Sequence, residues 1–347
     1  MCDSESGSTS KNVPRTEAGR LLVGRGRFID TLILPRLLHL AFVRSPVAHA
    51  TLNQIEVEEA KSMPGVARVI VGTQISPLIA DIPKTKLDTI PEHNSPFQPP
   101  LVENHIRYQG EPVAIVAAET LAQAEDAAAK IRLDYRELPP VSTFQAALAD
   151  DANIASELEI GHAIPEDSMH IRLEAQFSFG RQTGVTLEPR GIVVDYDALA
   201  DELVVWQSHQ SPHLVQVLLA RILGMPENRV RVQTGDVGGG FGVKLHLYAD
   251  EIATVLAARL LARPVKFVAT RLESFQSDAQ AREFEATGSI RFTKEGNLVG
   301  MEADFNNALG AYSIFPRSSI GDSIQAATQL GAPYKICLLY TSDAADE

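Results

Sequence analysis

Cysteine is nearly absent from this sequence. Only Cys2 and Cys337 occur, close to opposite ends of 347 residues. They make neither a disulfide framework nor a set that could ligate an iron–sulfur cluster. Long apolar runs are missing too, so no stretch reads as a membrane span. Basic residues are outnumbered, 31 Lys and Arg against 44 Asp and Glu, for a net charge of −13. That balance argues against non-specific nucleic-acid binding, which needs clustered cations. The first 15 residues are Ser-rich without an apolar segment, which predicts a disordered tail, no secretory signal and a cytoplasmic protein. Hydrophobic residues make up 45%, enough for two sizeable cores.

Glycine, by contrast, is concentrated. Gly235 to Lys244 reads Gly-Asp-Val-Gly-Gly-Gly-Phe-Gly-Val-Lys. It lies between a strand-like run from Arg229 to Thr234 and an apolar helical pattern from about Leu247. Such a segment is either a tight strand-to-helix turn or a cradle of unpaired N–H groups for an anion. Four glycines in the five positions 238–242 exceed what a turn needs. A P-loop requires adjacent Gly-Lys followed by Ser or Thr, but Val243 separates Gly242 from Lys244 and Leu245 follows. A dinucleotide fingerprint requires G-x-G-x-x-G, and Gly238, Gly240 and Gly242 give G-x-G-x-G.

Patterning predicts a mixed α/β (α+β) chain. Strands are expected at 37–44, 66–71, 112–118 and 133–136, a turn with a short strand at 24–30, and helices at 55–63 and 121–132. Residues 81–104 carry five prolines and no periodicity. They read as a long loop, either an arm that docks a partner or a plain excursion. A first domain, 16–145, closes near Phe144, and the acidic 146–168 reads as a linker. The second domain, 169–336, is expected to hold strands at 169–179, 191–196, 202–207, 229–234 and 264–269 and a hairpin of 284–292 with 298–307. Ser211-Pro212 starts a helix with Leu214, Val217, Leu218 and Ile222 as its apolar face. A second helix runs from Tyr248 to Leu261. Gln210 sits just before a helix N-terminus, where its NH₂ can donate to an anionic or oxo ligand or merely bridge loops.

Several stretches together carry a family resemblance. Leu187-Glu188-Pro189-Arg190-Gly191, Trp206 to His213 (Trp-Gln-Ser-His-Gln-Ser-Pro-His), Gly238 to Lys244, Arg263 to Lys266 and Ala281-Arg282 follow one another in order. Gly24-Arg25-Gly26-Arg27-Phe28, Phe42 to Pro46 and Gly110 to Ala114 precede them. The set resembles the molybdenum-binding large subunits of the xanthine dehydrogenase, aldehyde oxidase and aerobic carbon monoxide dehydrogenase family, over about residues 16–336. The resemblance implies an α/β hammerhead domain followed by the first part of a molybdopterin-binding domain. It implies a molybdenum–molybdopterin cofactor, as the cytosine dinucleotide if the source is bacterial, held by Gln210, Gly239, Gly240, Phe241 and Gly242, with no side chain ligating the metal. It implies an aldehyde, N-heterocycle or CO as substrate. It also implies an Fe–S small subunit and an FAD-binding medium subunit, in a dimer of heterotrimers. Electrons released here would need such partners, because this chain encodes no relay. Leu245 stands where the purine-type members carry Glu, which points away from purines.

Residues 337–347 read as translated sequencing adapter, so the family pattern stops at Ile336. The catalytic base of the family lies beyond that point; no catalytic residue is assigned, and the chain alone is expected to be inactive. Other constellations are weaker. His209 and His213 have zinc-helix spacing without the rest of a motif, Glu188 reads as a structural ion pair before a catalytic acid, and Asp250-Glu251 reads as charge opening a helix. The rival from another class is a non-catalytic module whose glycine stretch holds a phosphate.

Overall fold

The computed structural model describes residues 15–85, 93–150, 154–159, 170–281, 283–331 and 334. The predicted N-terminal tail up to residue 14, most of the linker, Arg282 and the adapter-like tail lie outside the described residues. The chain opens with β1 (Leu38–Arg44), β2 (Ala50–Glu56) and β3 (Val66–Val71), then β4 (His105–Ile106) and β5 (Pro112–Ala118). Helix α1 (Leu121–Ala128) leads to β6 (Arg132–Glu137). The second half runs β7 (Ile171–Phe179), β8 (Gly191–Asp197), β9 (Glu202–Gln207), α2 (Pro212–Leu223) and β10 (Val230–Gln233). It continues with α3 (Ala249–Leu261), β11 (Val265–Val268), α4 (Arg271–Ser277), β12 (Phe284–Phe292), β13 (Leu298–Asn307) and α5 (Ser319–Thr328). The expected mixed α/β class holds.

The principal sheet has the order β10-β9-β8-β11-β1-β5-β3. Its central join is the parallel pairing of β1 with β11, Leu38 opposite Val265, so strands from both halves of the sequence share one sheet. Phe42 of β1 meets Phe267 of β11 edge-to-face, with ring centroids 4.6 Å apart, a geometry that adds to their burial. Helix α3 lies over this sheet and is buried from Ala249 to Ala258. A helix apolar all round is one with no solvent face. Helix α2 buries Val215, Leu218, Leu219, Ile222 and Leu223, while Val217 is 45% exposed. Leu218 and Ile222 of the expected face are buried and Leu214 packs against the same core, so only Val217 departs from it, and the buried set follows the i, i+3, i+4, i+7, i+8 spacing of a single face. Ser211 occupies the N-cap position but its hydroxyl makes no cap.

Two expected elements differ. The helix predicted at 55–63 is the end of β2 followed by a single turn, Glu58–Lys61. Pairing of β2 with β6 shifts register between Leu52 and Gln54, and this bulge breaks the alternation by which a strand is recognised. Residues 24–30 form no strand; they end in a 3₁₀ turn at Ile29–Thr31 and bind the glycine segment instead. In the proline-rich loop, the described flanks pack inward: the Thr85 hydroxyl donates to Ile314 O at 2.6 Å, and Ser313 N–H donates to the Ser95 hydroxyl at 2.9 Å.

One buried carboxyl ties the two halves together. Glu111, 1% exposed, accepts from Tyr312 Oη at 2.6 Å and from Arg107 N–H at 2.7 Å. Burial, opposed by these hydrogen bonds, pushes its pKa up to about 7 from an ordinary 4.5. The folded state therefore holds this proton where the unfolded chain has released it. Its contribution is fully present below pH 4.5 and is lost as pH rises toward 7. Glu111→Gln is expected to remove that decline, a difference on the order of 3 kcal/mol across the window, measured as urea midpoints of both proteins at pH 5 and pH 8. Equal pH slopes for the two would show that Glu111 is ionised in the fold.

Candidate cofactor site

The glycine segment leaves β10 and folds back over two other stretches. Its backbone is unusual: Gly239, Phe241 and Gly242 have φ of 102°, 50° and 86°. Positive φ is ordinary for glycine but costs energy at Phe241, whose side chain is nonetheless 77% exposed. Gly240 lies so close to Gln210 that a Cβ there would sit 2.6 Å from Gln210 Cδ. Only a residue without a side chain allows this approach.

Gln210 is fixed from both ends. Its backbone N–H donates to Lys244 O at 2.8 Å, and its side-chain Oε1 accepts from Gly242 N–H at 3.0 Å. Because a backbone N–H can only donate, the amide oxygen is the acceptor and the NH₂ is left as a donor. The N–H groups of Gly239, Gly240 and Phe241 donate to no group among the described residues, unlike those of Gly238, Gly242, Val243 and Lys244. Consecutive free N–H groups beside a free amide make a donor cradle. The sequence-predicted set of Gln210, Gly239, Gly240, Phe241 and Gly242 is therefore one constellation. The loop does not open directly onto α3, as its pattern suggested; a 3₁₀ turn, Val243–Leu245, intervenes.

Beneath the cradle sits Glu188. Its Oε2 accepts from Lys244 Nζ at 2.8 Å, Gly238 N–H at 2.8 Å and Ser208 Oγ at 2.5 Å, and Oε1 accepts from Ile29 N–H at 3.2 Å. Burial alone raises its pKa, but the donors outweigh that and hold it below the usual carboxylate range. A carboxylate engaged by four donors is a structural clamp, not an acid in waiting. Lys244, whose side chain is fully enclosed, is consumed by the same contact and offers no cation to a phosphate. Asp236 anchors the upstream end, accepting from Arg27 N–H at 2.6 Å and pairing with Arg20.

A second layer supports the clamp. Arg190, fully buried, spans Asp250 (2.8 Å), Asp278 (2.6 Å) and Glu251 (3.3 Å). Its guanidinium stacks 3.7 Å from the Tyr248 ring centroid. Arg44 joins at Asp250 (2.9 Å) and Glu273 (2.8 Å). The carboxylates at the start of α3 are therefore not surface charge complementing a helix dipole; they are an internal ion network. Two charges at the head of an otherwise apolar helix were its sequence signal. His209 is likewise structural: its Nε2 contacts His246 O at 3.1 Å and its Nδ1 accepts from Ser211 N–H at 2.9 Å. Burial pulls its pKa down to about 4, so it stays neutral. His213 is exposed on α2, and no metal-binding group of three or more His, Cys, Asp or Glu occurs among the described residues.

The fold is that of a molybdopterin cofactor-binding domain. Residues 148–342 match the molybdopterin cofactor-binding domain family, and residues 23–139 match the aldehyde oxidase and xanthine dehydrogenase a/b hammerhead domain. The chain belongs to the aldehyde oxidase and xanthine dehydrogenase family of molybdenum oxidoreductases. It is 33% identical over 320 residues to the nicotine 6-hydroxylase large subunit of Paenarthrobacter nicotinovorans, covering 89% of this chain and 39% of that protein. It is 29% identical over 321 residues to the carbon monoxide dehydrogenase large chain of Hydrogenophaga pseudoflava, covering 85% and 39%. The crystal structure of quinoline 2-oxidoreductase from Pseudomonas putida 86 superimposes with a TM-score of 0.84 at 33% identity, covering 92% of this chain and 42% of that one. The chain thus spans about two-fifths of the length of the relatives it matches.

Proposed function

We propose that this chain forms the hammerhead and first cofactor-binding portion of a molybdenum hydroxylase large subunit. The observation that carries the reading is the donor cradle: three successive free N–H groups closed by an amide whose oxygen is already committed. Those donors suit an electron-rich oxygen- and sulfur-bearing group, and the positive φ values bring bare backbone to it. Molybdenum–molybdopterin, when bound, supplies the oxidation of an aldehyde or N-heterocycle carbon, or of CO, with oxygen drawn from water. The chain's own part is positioning. Gly239, Gly240 and Phe241 would hold the cofactor through their N–H donors, Gly242 fixes the Gln210 amide oxygen and leaves its NH₂ free to donate to it, and Phe241 would contact it.

Exposed apolar residues flank the cradle in sequence: Val185, Leu187 and Val237 are exposed, as is Phe241. Such flanks favour an uncharged substrate. The phosphate reading fits less well, because Lys244 is already paired with Glu188. By relationship, the cofactor is the cytosine dinucleotide form, and electrons pass to Fe–S and FAD subunits in a cytoplasmic complex. No helix among the described residues is long and apolar enough to cross a membrane.

The test is metal and pterin analysis of the purified complete complex, before and after Gln210→Ala. About one molybdenum per large subunit is expected in both. Turnover in the variant should fall roughly 100-fold, the usual cost of one pre-organised donor. Bound phosphate without molybdenum would overturn the proposal in favour of a binding module.

A further inference from the structure

Four glycines in the five positions 238–242 would leave this segment mobile unless its ends were tied. Both ends meet one carboxylate oxygen. Glu188 Oε2 accepts from Gly238 N–H and from Lys244 Nζ, each at 2.8 Å, and Glu188 N–H donates back to Gly238 O at 3.0 Å. Residues 239–243 between them form an arch that carries the three free N–H groups. Lys244 also reaches Gln210 by two routes. Its carbonyl accepts from Gln210 N–H at 2.8 Å. Its Nζ donates to the hydroxyl of Ser208, close before Gln210 in the chain, at 2.9 Å, and that hydroxyl donates to the same Glu188 oxygen at 2.5 Å. Downstream, Tyr248 Oη donates to Val243 O at 2.8 Å and accepts from Ala279 N–H at 3.0 Å, so the turn that follows the arch is held as well.

We propose that Lys244 is a positioning residue: through Glu188 and Ser208 it sets the span of the arch and the place of Gln210, so that the free N–H groups and the Gln210 NH₂ converge on one ligand. Its side chain is fully enclosed, so it acts through these residues and not on the ligand itself. An ammonium is costly to bury, and an uncharged side chain of similar length would fill the same space. What the cation adds is geometry, because it donates in more than one direction at once and so fixes Glu188 and Ser208 against each other. A Met in its place keeps the bulk and loses both bonds. Glu188 then keeps its N–H and hydroxyl donors, but the arch has one loose foot and the stretch before Gln210 is no longer gripped from Lys244. The identity of the ligand rests on the cofactor reading above; the tie itself is made within this chain.

Lys244→Met in the full chain should quicken hydrogen exchange at the Gln210 and Gly242 amides at least about tenfold, while the buried amides of residues 252–258 in α3 keep the parent rates. In the complete complex, molybdenum content should stay at the parent value and turnover per molybdenum should fall roughly 100-fold, with kcat and kcat/KM falling together. Ser208→Ala removes only the hydroxyl and should move both readouts the same way by a smaller factor, about three- to tenfold; it decides the case if Lys244→Met fails to fold. If the α3 amides quicken as much as those of Gln210 and Gly242, Lys244 serves stability alone and the proposal falls. It falls equally if the Gln210 and Gly242 amides are unmoved, or if they quicken while turnover per molybdenum does not change. A parent complex without molybdenum would sink the cofactor reading and this inference with it, whereas normal molybdenum with unmoved amides sinks this inference alone.

Discussion

Arg190→Met is expected to destabilise the chain by roughly 3–5 kcal/mol, enough to leave much of it unfolded, because whole domains are stable by only about 5–15 kcal/mol. The side chain it removes is the common partner of three buried carboxylates, on Asp250, Glu251 and Asp278. The Asp250 carboxyl would rise in pKa from burial alone, but Arg190 and Arg44 hold it well below its ordinary value. A carboxylate so depressed contributes stability that is present above pH 3.8 and lost on acidification. Without Arg190 burial weighs more heavily on Asp250, Glu251 and Asp278, the last two of which already lie above their ordinary values. The parent itself gains stability as pH falls from 7 to 5 through Glu111 and Glu251, and the variant should gain more. Urea denaturation at the two pH values checks this. Arg190→Lys keeps a charge but not the fork that grips both Asp250 oxygens, and should lie between. A variant as stable as the parent would mean the network is ornamental.

Gly240→Ala is expected to do the reverse, costing function with little loss of stability. The added Cβ meets Gln210 Cδ, Cγ and Oε1 at 2.6 to 2.8 Å. These atoms belong to a flexible side chain, so Gln210 swings aside and the fold survives. Displacing it breaks the hydrogen bond from Gly242 and aims the NH₂ elsewhere. Turnover of the complete complex should fall roughly 100-fold, with the unfolding midpoint of the chain shifted by less than about 1 kcal/mol. Hydrogen exchange at the Gly242 amide of the isolated chain should quicken, a readout that needs no cofactor. Gly238→Ala is the contrast: its Cβ would stand 2.4 Å from Glu188 Cβ, where nothing flexible can yield, so stability itself should drop. If both variants behave alike, the assignment of Gly240 to Gln210 is wrong.

Much of the architecture was legible from local pattern. The hairpin of β12 and β13 and strand β9 fall where alternation and turn residues put them. The five cradle residues were legible as an ordered motif, though their mutual contact was not. The β2 segment was misread because a bulge at Asn53 erases the period of two. On the apolar face of α2, Val217 alone stands outside the core, because it is as hydrophobic as its buried neighbours and only packing distinguishes them.

Composition, glycine placement and motif order in the sequence determined the class of the chain, since local backbone preference and residue chemistry are written residue by residue. Three things were decided only in three dimensions. These are the joining of β1 to β11 across 226 intervening positions, the meeting of Glu188 with Lys244, and the closure of Arg190 on residues up to 88 positions away. Each is a long-range pairing of groups that are individually unremarkable. The energy of a buried ion pair or a shared strand edge exists only once the chain has excluded water around both partners, and no local pattern encodes that event.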